Sequence, residues 1–188
     1  MSKTQYYCAS SLDGYIAEAD DTLDWLTGYE GSSAVEGAEP GGRGSYERFF
    51  ENVGAMISGS VTYEWVLDHV DEWPYPGKPF WVLSTRELRV PEGNAVDVRI
   101  VNAKVPEIYD EMAGAAGEGN LWVIGGGNVA SQFADEGLLD EVIVTVVPVV
   151  LGSGKPLFDR RVPGPPLTLT GTTAFDSGMV ELRYEVTR

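Results

Sequence analysis

Three turns in this chain carry the residue types that receive a phosphorylated ligand. Leu121-Trp122-Val123-Ile124 runs as an apolar strand into Gly125-Gly126-Gly127, after which Asn128-Val129 opens a helical pattern. Glycine removes the Cβ that would hold a ligand off the backbone, and a helix start offers an anion unpaired N–H groups and a partial positive charge. Met56-Ile57-Ser58 leads into Gly59-Ser60-Val61-Thr62, with two hydroxyls at a helix start. Trp81-Val82-Leu83 ends in Ser84-Thr85-Arg86, with two hydroxyls and a cation. Singly, each turn also suits a structural role: Ser60 or Thr62 as a cap, Ser84-Thr85 as a turn, the glycines as a bend. Ligands of open α/β sheets gather beyond the carboxyl ends of strands, so the three together describe one crevice for an extended dinucleotide.

Gly125 to Ala130 also fits the relaxed Rossmann pattern G-x-G-x-x-A. That fingerprint requires an acidic residue about 20 positions on to hold the ribose hydroxyls. The corresponding stretch, Val146-Val147-Pro148-Val149-Val150, is apolar, and the motif stands late in the chain, so the Rossmann reading fails.

Composition narrows the chemistry further. A single cysteine, Cys8, and a single histidine, His69, leave no internal disulfide and too few soft ligands for a structural zinc site, so no metal is expected. Cys8 reads as a core residue and His69 as a solvated one. The net charge of −16 repels polyanions, which argues against nucleic acid and anionic membrane surfaces and leaves a small molecule as the expected partner. The 188 residues and 43% hydrophobic content fit one domain over residues 1–188. No run approaches the ~18 apolar residues of a membrane span, and the amino terminus shows no secretory pattern, so a cytoplasmic protein is expected. The dispersed acids suit either a salt-adapted cytoplasm or ordinary solubility.

The elements that must position these turns alternate between strand and helix. Strands are predicted over Thr4–Ala9, Ala55–Ser58, Phe80–Ser84, Val98–Val101, Leu121–Ile124 and Glu141–Val149. Helices are predicted over Ser45–Asn52, Val61–Val70, Pro106–Ala115 and Asn128–Glu136, the last closed by Gly137. After Pro163-Gly164-Pro165-Pro166 the pattern becomes two strands, Leu167–Phe175 and Met179–Thr187, joined by Asp176-Ser177-Gly178, an antiparallel hairpin. Val142 to Val147 is apolar on both faces and needs cover on both, as a central strand has. The stretch Gly28 to Gly44, with six glycines, reads as a binding loop or as plain variable surface.

Four stretches, in order, resemble one family. Ala9-Ser10-Ser11-Leu12-Asp13-Gly14-Tyr15-Ile16-Ala17, Ser58-Gly59-Ser60-Val61-Thr62-Tyr63-Glu64, Val123-Ile124-Gly125-Gly126-Gly127, and Leu139-Asp140-Glu141 through Pro148 to Phe158 are similar to the dihydrofolate reductase superfamily. The closest likeness is to the reductase domain at the carboxyl end of bifunctional riboflavin-biosynthesis enzymes. That resemblance implies a three-layer α/β/α fold around a mixed, mostly parallel eight-stranded sheet, NADPH as hydride donor, and reduction of a C=N-type bond in a pyrimidine or pteridine. No H-x-E with P-C-x-x-C occurs here, so a stand-alone reductase without the usual deaminase partner is expected.

Carried over by resemblance, Ala9 and Ile16 flank the nicotinamide, with Leu12 to Tyr15 closing over it. Gly59, Ser60 and Thr62 meet the phosphates at one helix start, and Gly125, Gly126, Gly127, Asn128 and Val129 at another. Ser84 and Thr85 lie against the adenosine. Dihydrofolate reductases commonly have Arg where this chain has Ser60, and a neutral hydroxyl does not pair bidentately with a 2′-phosphate. Arg86 is the candidate replacement. Reduction of C=N needs a proton on nitrogen, for which Asp24 is the candidate acid, with a helix-start role as its alternative. Asp13, before Gly14, reads as a turn former. Thr145 borders the substrate pocket by resemblance, and Arg43 and Arg48 are candidate cations for a phosphoribosyl group. A homodimer is expected. The competing functions are a dihydrofolate reductase proper and a nucleotide-binding protein without turnover.

Overall fold

The computed structural model describes residues 2–27 and 45–187; the glycine-rich stretch 28–44 read as a binding loop, and Arg43 within it, lie outside the described residues. Eight strands make the main sheet: β1 (Thr4–Ser11), β3 (Val53–Gly59), β4 (Pro79–Leu83), β5 (Asp97–Val101), β6 (Asn120–Gly125), β7 (Glu141–Val147), β9 (Thr168–Ala174) and β10 (Val180–Glu185). Their spatial order is β5-β4-β3-β6-β1-β7-β10-β9. The pairs from β5 to β7 are parallel, whereas β10 runs antiparallel to both β7 and β9. This is the mixed, mostly parallel α/β sheet with a carboxyl-terminal antiparallel hairpin that the sequence implied. Gly178, at φ 86°, makes the hairpin turn. Two shorter strands, β2 (Tyr15–Ala17) and β8 (Lys155–Pro156), pair with each other apart from the sheet.

Among the described residues the helices are α1 (Asp24–Thr27), α2 (Ser45–Glu51), α3 (Ser60–His69), α4 (Val105–Ala116) and α5 (Gly127–Asp135). Alternation along the strands divides the interior into two cores, one on each face of the sheet. Tyr6, Ile57, Trp81 and Val123 pack with Met112 of α4 and Phe133 of α5. Their neighbours Tyr7, Met56, Phe80, Val82 and Trp122 pack with Phe49 of α2 and with Tyr63 and Val66 of α3. Three layers result. β7, between β1 and β10, is buried from Glu141 to Val144, as its apolar character on both faces required.

The helix ends follow local chemistry. Lys104 N donates to Glu107 Oε2 at 3.0 Å to close the start of α4. Gly137, at φ 64°, ends α5 by donating its N–H to Ala134 O, while Leu138 N donates to Phe133 O at 2.8 Å. β2, β8 and α1 span two to four residues each, too few to register as a periodicity. No helix among the described residues is long and apolar enough to cross a membrane.

Candidate functional site

A cleft of about 1290 Å³ opens at the carboxyl edge of the sheet, lined from the ends of β1, β3, β4 and β6 and from the starts of α3 and α5. It gathers Ala9, Ile16, Gly59, Ser60, Thr62, Ser84, Thr85, Arg86, Gly125, Gly126, Gly127, Asn128, Val129 and Thr145. These come from strands far apart in sequence and adjacent in the sheet, so the three separate turns share one wall.

Register explains how two helix starts come together. β3 pairs with β6, and Ser58 stands opposite Gly125, so α3 and α5 begin side by side. Gly59 caps α3 and Gly126 caps α5; both are extended, and neither start is closed by a side-chain hydrogen bond. A Cβ on Gly59 would lie 4.0 Å from Gly126 N, which measures how closely the two starts approach. The first-turn amides of both helices thus lack side-chain acceptors, and the two partial positive charges act on the same volume. The Gly125–Gly126 peptide is cis. Gly127 serves a different purpose: a Cβ there would run into the carbonyl oxygens of Pro156 and Leu157, so its smallness lets α5 pack against β8.

At the third turn, Ser84 Oγ accepts from Arg86 N at 2.9 Å and donates to Arg86 O at 3.0 Å. The Arg86 guanidinium donates to Glu64 Oε2 at 2.6 Å, to Glu64 Oε1 at 3.3 Å and to Ser60 Oγ at 3.3 Å. Ser60 and Arg86, two candidate contacts for a phosphate, therefore touch each other. Glu64 holds the cation from behind.

The loop between β1 and β2 is tied down by Asp13, the turn former. Its carboxylate accepts from Ser11 Oγ at 2.7 Å, Leu151 N at 3.1 Å and Gly152 N at 2.7 Å. These bonds, Ser11 foremost, hold the Asp13 carboxyl below its usual range. Ile16 is thereby set against the glycine turn, with its Cδ1 3.8 Å from where a Cβ on Gly126 would stand.

Beyond Ala9 the cleft becomes aromatic, lined by Tyr7, Tyr46, Trp65, Tyr75 and Trp122 with Leu23, Leu26 and Met179. The Tyr7 and Tyr46 rings stand 6.5 and 5.9 Å from that of Trp122. None of these residues was picked from the sequence as part of a site. For Tyr7 a signal existed, because it lies two residues before Ala9 and shares its face of β1. Tyr7 Oη donates to Glu181 Oε2 at 2.9 Å, and Glu181, 1% exposed, also accepts from Arg183 Nε at 2.9 Å. Glu181 stands opposite Thr145 in the β10–β7 register.

Two candidates are not brought to this cleft. Asp24, expected as the acid, is the exposed first residue of α1, and it is its neighbours Leu23 and Leu26 that line the cleft. The first turn of a helix favours an acid there, which accounts for Asp24 without proton transfer. Arg48, expected at the substrate, sits on α2 outside the lining, whereas Tyr46 of the same helix reaches the cleft. His69 is exposed and stacks on Trp65 at 4.1 Å between centroids, and Cys8 lines the cleft beside Ala9. Burial pushes the Cys8 thiol up to about 12, far from a reactive thiolate.

The sheet order and the two glycine-led helix starts define a dihydrofolate reductase-like α/β protein. The dihydrofolate reductase of Enterococcus faecalis, in complex with NADP(H) and RAB-propyl, shares the fold at a TM-score of 0.60 and 14% identity, over 97% of this chain and 95% of that one. Within that class the chain belongs to the RibD C-terminal domain family, which matches residues 3–181. The uncharacterized protein YwjB of Bacillus subtilis (strain 168) is 34% identical over 182 residues, 97% of both chains. A putative riboflavin biosynthesis protein from Shewanella sp. PV-4 superposes with a TM-score of 0.78 at 29% identity, over 99% of both chains. The chain is thus homologous to reductase domains.

Proposed function

We propose that the protein is an NADPH-dependent reductase that transfers hydride to a C=N-type bond of a pyrimidine or pteridine-like ring, as in the riboflavin-pathway reductases it resembles. The observation that carries this reading is the pair of adjacent helix starts, Gly59–Ser60 and Gly126–Gly127, both uncapped by side chains and both opening on the cleft that Ala9 and Ile16 line. A dinucleotide pyrophosphate carries the charge such a pair accepts.

The residues present fit that cofactor. Gly59, Ser60 and Thr62 hold one part of the pyrophosphate and Gly126 to Val129 the other, with Ser84 and Thr85 against the adenosine. When bound, NADPH supplies the hydride. Ala9 and Ile16 bound the volume for the ring that carries it, and the Asp13 clamp fixes Ile16 in place. The aromatic floor of Tyr7, Tyr46 and Trp122 stacks a flat acceptor and keeps water from its face. Among the described residues, the carboxyls lining the cleft are Asp21, paired with Lys155 at 3.3 Å, and Asp159, held by Asn128 at 2.6 Å. Both carboxylates are engaged by these partners, and the proton for nitrogen is assigned to water.

NADPH oxidation in steady state, with the ribosylaminopyrimidine and with dihydrofolate as acceptors, tests the reading. Turnover with the first and not the second is expected. Saturable NADPH binding without turnover on either would overturn both named enzyme assignments and favour a nucleotide-binding role.

A further inference from the structure

We infer that the substrate end of the cleft selects a flat heterocycle that presents an N–H group to Tyr7, because Glu181 fixes the direction of the hydrogen bond behind it. The inference deepens the proposed reductase function and rests on that reading for its place in catalysis.

Glu181 stands between two donors. Its carboxylate is bound by the Arg183 guanidinium at 2.8 and 2.9 Å, and it is almost wholly excluded from solvent. A carboxylate paired with a guanidinium accepts hydrogen bonds, and the Tyr7 hydroxyl, 2.9 Å away, donates to it. A phenol has one proton. With that proton committed to Glu181, the Tyr7 oxygen offers only lone pairs on its other side, where Tyr7 lines the cleft.

Ala9, Thr145 and Glu181 stand in one row across β1, β7 and β10, so their side chains share the face of the sheet that carries Tyr7. Burial, and next the Glu181 charge, raises the Tyr7 phenol well above its ordinary value, so this order of donors and acceptors holds across the neutral range. The cleft therefore meets a ligand with the Tyr7 oxygen as an acceptor beside an aromatic floor. A ring amide, an exocyclic amine or a protonated ring nitrogen satisfies it, while a carbonyl or bare ring nitrogen would leave lone pair against lone pair.

The test uses two probe rings of similar size, diaminopyrimidine and dimethylpyrimidine, which carry amino or methyl groups at the same positions. Binding is followed by quenching of tryptophan fluorescence, since Trp65 and Trp122 line the cleft. The wild-type protein is expected to bind the amino probe about tenfold more tightly or better, the effect of one good hydrogen bond. In Glu181→Gln the side-chain amide can donate to Tyr7 and turn the Tyr7 proton toward the cleft, so discrimination should fall to about twofold or reverse. Tyr7→Phe removes the acceptor and should lower the ratio as well, which keeps the test open if Glu181→Gln does not fold. The ratio of two affinities is insensitive to the folded fraction, so simple destabilisation leaves it unchanged. A wild-type ratio near one, or a tenfold ratio kept in both variants, overturns the inference. NADPH titration of the same proteins separates the readings: absence of NADPH binding removes the reductase proposal, whereas the probe ratio is measured without nicotinamide.

Discussion

Arg86 offers the sharpest test of how this cleft would read its cofactor. Its guanidinium lies against Ser60 Oγ and is held by both oxygens of Glu64, in a pair whose side chains are 57% and 40% exposed. An exposed ion pair of this kind is worth about 0.2–1 kcal/mol, whereas hydrogen bonds from a charged donor to a phosphate contribute about 1.5–3 kcal/mol. Swinging or sharing Arg86 between Glu64 and a 2′-phosphate therefore leaves a net ~1–2 kcal/mol in favour of NADPH, or about 5–30-fold over NADH. Arg86→Met should erase that preference, weakening NADPH and leaving NADH nearly unchanged. Glu64→Gln removes the competing charge and should raise the preference by about 2–5-fold, in line with the modest worth of the exposed pair. Dissociation constants for both nucleotides, from quenching of tryptophan fluorescence in the three proteins, give the ratios. The preference should also shrink with added salt, since the contact is exposed. If Arg86→Met binds NADPH and NADH in the wild-type ratio, Arg86 does not read the 2′-phosphate.

Four further outcomes follow from packing, thiol chemistry, titration and the open edge. Gly127→Ala places a Cβ against the carbonyl oxygens of Pro156 and Leu157, and overpacking of about 1–3 kcal/mol should lower the melting temperature by several degrees on thermal unfolding. Cys8 should resist thiol reagents at neutral pH in the folded protein, because burial holds its thiol up to about 12 against an ordinary 9.0. An unfolded chain releases that proton near 9.0 while the folded one keeps it, so this contribution is whole below that pH and fades above it. Tyr7 is raised likewise, and denaturant midpoints should therefore fall between pH 9 and 11; midpoints that rise in this interval would contradict the assignment. A homodimer is proposed, with the β9 edge and exposed Leu169 and Val180 as the surface to cover, and light scattering that shows a monomer at micromolar concentration would remove it.

Much of this arrangement was legible because it rests on local rules. The apolar runs into Gly59, Ser84 and Gly125 named three strand ends, and the parallel order of β4, β3 and β6 then put those ends on one edge. Gly137 and Asp176-Ser177-Gly178 announced a helix end and a hairpin for similar reasons. The aromatic substrate end was not legible, because it depends on which face of a helix or strand a residue occupies after packing. Tyr46 and Arg48 lie two positions apart on α2, about 200° around the helix, and it is the ring rather than the cation that lines the cleft. Lys155 was passed over because β8 is too short to show a pattern.

The same limit explains why the candidate acid stands outside the cleft lining. A sequence search for a proton donor looks for a carboxyl near the cofactor motifs, and Asp24 satisfies that criterion in one dimension. In three dimensions Asp24 is the exposed first residue of α1 and stands outside the cleft lining. Glu181 is the buried carboxylate nearest the proposed substrate site, yet it lies more than 150 residues from Asp24 and reaches the site only through the β10–β7 register and the length of Tyr7. Its charge is tied to Arg183, which suits it to orienting hydroxyls rather than delivering protons. An electrostatic group placed behind the ligand's contacts can order donors and acceptors without touching the ligand. In the proposed reading the cleft separates two tasks that one acid could combine: Glu181 orients the Tyr7 hydroxyl, and the proton is assigned to water.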